Sequence, residues 1–263
     1  SLVAADRCYR YSVRAPPSPP PAPPAPPPPP LPAPLHPFQL PTGVNAWYRP
    51  GEFDLSTSTW PDASGSGNTA TLSGSGFASV IESGHGALTD VMSLQGTTAS
   101  KVSFGSVIAS SFTVCSATRY IPGGTKGRIL QCGGVDWLHG HHSNKAGVAH
   151  YRWWKTRSSG DNVSPNTNWV IMCGTNAGSQ LKLVNGADVG TSTGGTGSCT
   201  GLFINDGWST SEKSDFAIAE LIVWQRGLTS EEMYAAHDHL MANVLGLFSP
   251  PSPPSPPAAP PSP

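Results

Sequence analysis

The amino-acid sequence predicts an all-β sandwich closed by one C-terminal helix and flanked by polyproline II segments. Three observations carry this. The prolines are confined to the two ends, short β-rich apolar runs recur between them, and a capping box opens one amphipathic helix near the end of the middle segment. Of 29 prolines in 263 residues, 24 fall within 16–37 and 250–263; only Pro41, Pro50, Pro61, Pro122 and Pro165 lie between. The proline-poor middle is long enough to bury one substantial core. The ends can form neither helix nor sheet, because proline fixes φ and has no N–H to donate.

Four regions follow in order. Residues 1–15, with Cys8, read as the tail of a preceding module, and the opening Ser1-Leu2-Val3 without an initiator Met reads as an excerpt or a processed product. Residues 16–41 form a first rod, 42–248 a globular domain, and 249–263 a second, Ser-Pro-rich rod. Polyproline II rises about 3.1 Å per residue, so the longer proline run reaches ~70 Å as a stiff spacer. It carries no Lys or Arg, which argues against an SH3 or WW ligand.

Within the domain, apolar runs at 46–48, 77–81, 91–94, 101–104, 112–118, 128–131, 148–153, 169–173, 181–184, 201–204 and 216–224 alternate with Gly, Ser, Thr and Asn. Their separations suit a sandwich of short antiparallel strands rather than βαβ units. Asn185-Gly186, flanked by alternating residues, predicts a hairpin with a type I′ turn. Thr229 with Glu232 predicts a capping box. Met233, Ala236, Leu240 and Val244 then give a helical stripe, and Gly246 a stop.

Charge excludes some functions. Fifteen Lys and Arg balance sixteen Asp and Glu with no basic cluster, which argues against nucleic acid and anionic lipid. No run approaches the ~18 apolar residues of a membrane span. Cys115, Cys132, Cys173 and Cys199 lie in the domain, an even number without CxxC spacing, and so predict two disulfides. Three pairings exist; proximity in sequence favours Cys115–Cys132 with Cys173–Cys199. Cys8 is expected to pair with a residue outside this sequence. Asn162-Val163-Ser164 is a sequon in a polar stretch.

Two resemblances arise from these residues. Ala46-Trp47-Tyr48-Arg49-Pro50, then Trp60-Pro61-Asp62 to Asn68, the Asn185-Gly186 hairpin, and the closing 218–224 with Leu228-Thr229-Ser230-Glu231-Glu232 resemble a concanavalin A-like lectin/glucanase module of the laminin G-like type. This implies a jelly-roll β-sandwich of two antiparallel sheets. The Ser-Pro-Pro repeats resemble extensin- and pherophorin-like hydroxyproline-rich glycoproteins of plant and green-algal walls. That resemblance implies hydroxylated, glycosylated prolines, for which Pro17, Pro20, Pro21, Pro28, Pro29, Pro251, Pro254 and Pro257 are candidates, beside Asn162.

The function classes separate on side chains. A retaining glucanase of this fold resembles Glu-x-Asp-x-x-Glu on one strand, with two carboxylates about 5 Å apart. No such triplet occurs, so no catalysis is expected. His139, His141 and His142 match no standard metal spacing, and the segment 137–149 resembles a strand-to-loop turn; no metal is expected there. Calcium is the one cation the laminin G-like resemblance would admit, through loop Asp residues, but no Asp-rich loop is present. A ligand-contact surface is expected at Trp137, His139, His141, His142, Tyr151, Trp153 and Trp154. If 153–154 lie in a strand, one Trp faces out. The partners expected are glycans or neighbouring modules and polyproline rods of a common fibre. The main expectation is a structural segment of an extracellular wall, matrix or flagellar fibre; the alternative is a lectin-like module with passive spacers.

Overall fold

The computed structural model describes residues 39–157, 160–195 and 199–246. The Pro-rich segments, Cys8 and the eight candidate prolines lie outside these residues.

Among the described residues, fifteen strands precede one helix. They are β1 (Val44–Tyr48), β2 (Thr59–Trp60), β3 (Ala70–Gly74), β4 (Ala78–Gly84), β5 (Ala87–Gly96), β6 (Ser100–Gly105), β7 (Thr113–Tyr120) and β8 (Leu130–Cys132). Then come β9 (Trp137–His142), β10 (Lys145–Tyr151), β11 (Val170–Thr175), β12 (Lys182–Val184), β13 (Ala187–Asp188), β14 (Leu202–Ile204), β15 (Phe216–Trp224) and α1 (Ser230–Leu245). Two antiparallel sheets result. The first runs β13-β12-β11-β7-β15-β5-β4, with β1 also on β15; the second runs β10-β9-β8-β14-β6-β3-β2. The all-β sandwich with a single C-terminal helix is therefore present.

Burial explains the two kinds of strand sequence. β7, β11 and β15 have no exposed residue. One face of these strands meets the second sheet. The other lies under α1, where Cys115, Ile171, Cys173, Ile222 and Trp224 pack on Met233, Ala236, Leu240 and Val244. A strand covered on both sides loses alternation and reads as a continuous apolar run. β6 has a single buried face, and its burial alternates accordingly. Between the sheets, Tyr48, Trp60 and Phe104 form one aromatic group and Phe112, Trp137 and Tyr151 another.

The helix forms as predicted. Thr229 Oγ1 accepts from Glu232 N while Glu232 Oε2 accepts from Thr229 N, and Gly246 closes it in the left-handed region. The hairpin also forms: Asn185 (φ 44°) and Gly186 (φ 92°) both take the positive φ that a type I′ turn needs. Gly186 N then donates to His237 Nε2 at 3.0 Å, tying this hairpin to α1. Asp62 explains the Trp60–Asn68 motif. Its carboxylate accepts from the backbone N–H groups of Trp47, Ser64 and Asn68, clamping the loop against β1.

Two expectations need correction. The segment 137–149 is not a strand-to-loop turn but the β9–β10 hairpin, reversing at Ser143 and Asn144, both at positive φ. The disulfides are Cys115–Cys173 and Cys132–Cys199. Proximity in sequence fails because β7 and β8 belong to opposite sheets. Cys115 points outward under α1, and Cys132 points into the space between the sheets. Cys173 lies directly across from Cys115 in the β7–β11 ladder, Cα to Cα 4.1 Å.

Non-reducing peptide mapping is expected to recover the 115–173 and 132–199 linked peptides. Replacing both Cys115 and Cys173 by Ser is expected to cost about 2–4 kcal/mol in denaturant unfolding.

Candidate functional site

The expected contact residues divide between the interior and one rim. Trp137, His139, His141 and Tyr151 are fully buried between the sheets, which corrects their assignment to a ligand surface. They point inward from β9 and β10, while His142 takes the opposite face of β9 and is half-buried. Trp137 stacks on Tyr151 with ring centroids 5.0 Å apart. His139 is held at both nitrogens, Nδ1 2.9 Å from Tyr151 Oη and Nε2 3.2 Å from the Met172 carbonyl. The carbonyl can only accept, so Nε2 carries the proton and Nδ1 accepts from the tyrosine. His141 Nδ1 lies 3.3 Å from Thr118 Oγ1 and its ring meets Tyr120 edge-on. Burial pushes His139 down to about 4, and burial with the neighbouring His139 pushes His141 down to about 3.

The remaining expected residues lie along the β9–β10 edge of the second sheet. Arg152, at φ 65°, ends β10 and folds the chain back, so that His150 bridges Trp154. Trp153 lies at the tip with 64% of its surface exposed. Trp154 turns onto the sheet, edge-on to His142 and His150. One Trp is out and one half-buried, but a left-handed turn sets this rather than strand alternation.

Four further residues complete the rim. Arg128 Nη1 lies 2.6 Å from Asp136 Oδ1 and its Nε 2.5 Å from Glu212 Oε2, while His142 Nε2 lies 3.2 Å from Glu212 Oε1. Partial burial opposes the charge of Glu212, but Arg128 and His142 outweigh it and hold the carboxyl below the usual range. Arg152 N donates to Asp136 O. Arg152 also lines a recess of about 170 Å³ with Asp136 and Trp208, and its guanidinium lies 5.9 Å from the Trp153 ring. Trp208 is 54% exposed. Its loop is pinned by Trp208 N to Cys132 O and by Ser209 N to the buried Gln131 Oε1. The result is a guanidinium near two exposed indoles, with the Asp136 and Glu212 carboxylates and the His142 and His150 imidazoles on the same rim. Sequence reading missed Trp208. The available signal was a lone Trp in the polar stretch 205–215, where no core requires it.

At the sequon, Asn162 Nδ2, the atom a glycan would be joined to, donates to Gly147 O at 2.6 Å. Among the described residues no group of three or more His, Cys, Asp or Glu could hold a metal ion, and no helix is long and apolar enough to cross a membrane.

No protein-family model matches the chain, and no curated protein matches it. Solved structures match at the level of fold. Domain 4 of AbnA, a GH43 extracellular arabinanase from Geobacillus stearothermophilus in complex with arabinotriose, is similar with TM-score 0.52 and 13% identity, over 74% of this chain and 98% of that one. A Trypanosoma rangeli sialidase mutant displaying trans-sialidase activity gives 0.49 at 13% identity, over 76% of this chain and 34% of that one. The binding domain of Paraclostridial Mosquitocidal Protein 1 gives 0.45 at 12%, over 76% and 52%. The chain thus spans about a third of the sialidase mutant and half of the mosquitocidal domain. These likenesses concern the fold, and the arabinanase domain carries it. A sandwich of this kind is in keeping with the concanavalin A-like resemblance.

The buried histidines make stability fall in acid. Above their ordinary value near 6.5, native and unfolded chains both hold them neutral. Between 6.5 and about 4 the unfolded chain binds protons that the native one does not, so stability drops as pH falls. Urea midpoints between pH 7 and 4.5 are expected to show this, and His139→Gln to lessen the slope by about 1 kcal/mol per pH unit.

Proposed function

We propose that the domain is a non-catalytic carbohydrate-binding module, with Trp208, Arg152 and Trp153 as the binding surface. The exposure of two tryptophans near Arg152, Trp208 lining the same recess and Trp153 with its ring 5.9 Å from the guanidinium, is the observation that carries this reading. An indole with more than half its surface in water contributes little to the core, yet both are fixed on pinned loops. A sugar ring stacks by its C–H face on such an indole, while Arg152 and Asp136 offer hydrogen bonds to its hydroxyls. His142 and Trp154 line the back of the same rim. The presence of arabinotriose in the complex of a domain of like fold makes that trisaccharide the first ligand to try.

The two disulfides fit an oxidising, extracellular setting. In this reading the Pro-rich segments are hydroxyproline-rich spacers of a wall or surface glycoprotein that hold the module at a distance from its neighbours. Mass spectrometry of native material tests that part: hydroxyproline bearing pentoses is expected, and unmodified prolines would overturn it.

Titration of the full chain with arabinotriose, alongside a glycan array, tests the binding surface. Trp208→Ala is expected to weaken binding of the best ligand by at least about tenfold, ~1.4 kcal/mol, and Trp153→Ala to weaken it in the same direction. Both lie on exposed loops, so thermal stability should hardly change. Unaltered affinity in both variants would remove the rim from consideration.

A further inference from the structure

A second recess lies on the helix side of the first sheet. Its origin is a change of partner along β15. Residues 216–218 pair with β5 and residues 221–224 with β1, and the register against β7 also slips between Ile218 and Glu220. Irregularities of this kind re-aim a side chain out of the regular ladder. Glu220 therefore stands where β5 and β1 part, beneath the last turns of α1.

A cleft of about 340 Å³ opens there, lined by Trp47, Arg49, Glu52, Glu220, His239 and Asn243. That is near the lower end for small-ligand sites and suits a single ring. Glu220 is only 2% exposed. Its Oε1 accepts from Trp47 Nε1 at 2.6 Å and lies 3.4 Å from His239 Nε2. Asn243 Nδ2 lies 3.1 Å from the same His239 nitrogen. At the mouth, the Arg49 guanidinium lies 3.9 Å over the Trp47 ring and 3.5 Å from Glu52. The floor thus presents a carboxylate, an imidazole and an amide side by side, against an aromatic wall. The opposite charges at the mouth offset each other, and Arg49 repels a cation on its way to Glu220.

We propose that this cleft binds the terminal ring of a neutral saccharide, with Glu220 and Asn243 taking adjacent hydroxyls. A buried acceptor beside an amide matches a vicinal diol, which donates to one and accepts from the other. The ligand class rests on the carbohydrate-binding reading above. The site itself is on the other sheet from the rim and shares no residue with it.

The test uses the full chain and single monosaccharides (L-arabinose, D-galactose, D-glucose, D-xylose) followed by saturation-transfer NMR and Trp fluorescence. One of them is expected to bind with a Kd on the order of millimolar, and Asn243→Ala and Glu220→Gln each to weaken it about tenfold, with Trp208→Ala unchanged. Thermal melts show which variants remain folded; should Glu220→Gln fail to fold, Asn243→Ala alone decides, and unaltered binding in it overturns the proposal. The proposal is overturned if no monosaccharide binds by about 50 mM. It is equally overturned if Trp208→Ala rather than Asn243→Ala abolishes binding, or if lysine methyl ester binds in place of the sugars. Loss of arabinotriose binding at the rim with this cleft intact would strike the first reading alone.

Discussion

β15 carries nine consecutive residues with no exposed side chain, and the domain is organised around keeping them dry. Phe216, Ile218, Leu221 and Val223 enter the core between the sheets, while Ala217, Ala219, Ile222 and Trp224 enter the core beneath α1. A strand in this position needs a sheet on one side and a helix on the other. It also needs a partner along each edge. β7 supplies one edge over the whole length; β5 and β1 divide the other. The chain entering the domain joins the same arrangement, since Trp224 Nε1 donates to Pro41 O and Leu40 packs on the outer core. The division of that edge leaves Glu220 buried but next to solvent.

The second sheet plays a different part. Its loops at one end are fixed by buried polar contacts rather than by apolar packing. Gln131 is fully buried and spends its amide on Ser209, while Cys132 is joined to Cys199. Buried amides and a cross-link of this kind hold a loop in one conformation without hiding its side chains. Trp208 and Trp153 can therefore stay exposed and still be well placed. Arg128 extends the same economy, joining Asp136 from the β8–β9 loop to Glu212 from the loop before β15. Exposure together with fixed position is what the proposed binding surface would require.

Several side chains were misplaced by sequence reasoning for one shared reason. His139, His141, Trp137 and Tyr151 look like surface groups because they are polar or amphipathic and near Gly and Ser. Each meets a residue far along the chain: Met172 for His139, Thr118 for His141 Nδ1, and the Phe112 ring for Trp137 and Tyr151. Such partners leave no local periodic mark. The disulfides failed similarly, because neighbours in sequence were assigned as neighbours in space across two sheets. Trp153 and Trp154 differ in exposure, but the left-handed Arg152 sets this and not strand alternation; a non-glycine residue seldom adopts that conformation and sequence seldom announces it.

What the sequence determined by itself is what depends on a few adjacent residues. The capping box at Thr229 and Glu232, the positive-φ pair Asn185-Gly186, the helical stripe from Met233 to Val244 and most strands are contacts within one turn or one ladder. Their energies are local, so their residue patterns are local too. Tertiary structure alone decided which sheet each strand joined, which cysteine faced which, and which aromatics met water. It also decided that Glu220 would sit beside Trp47, 173 residues away, and His239. Those outcomes follow from burying both faces of β15 at once, a condition that no short window of sequence contains.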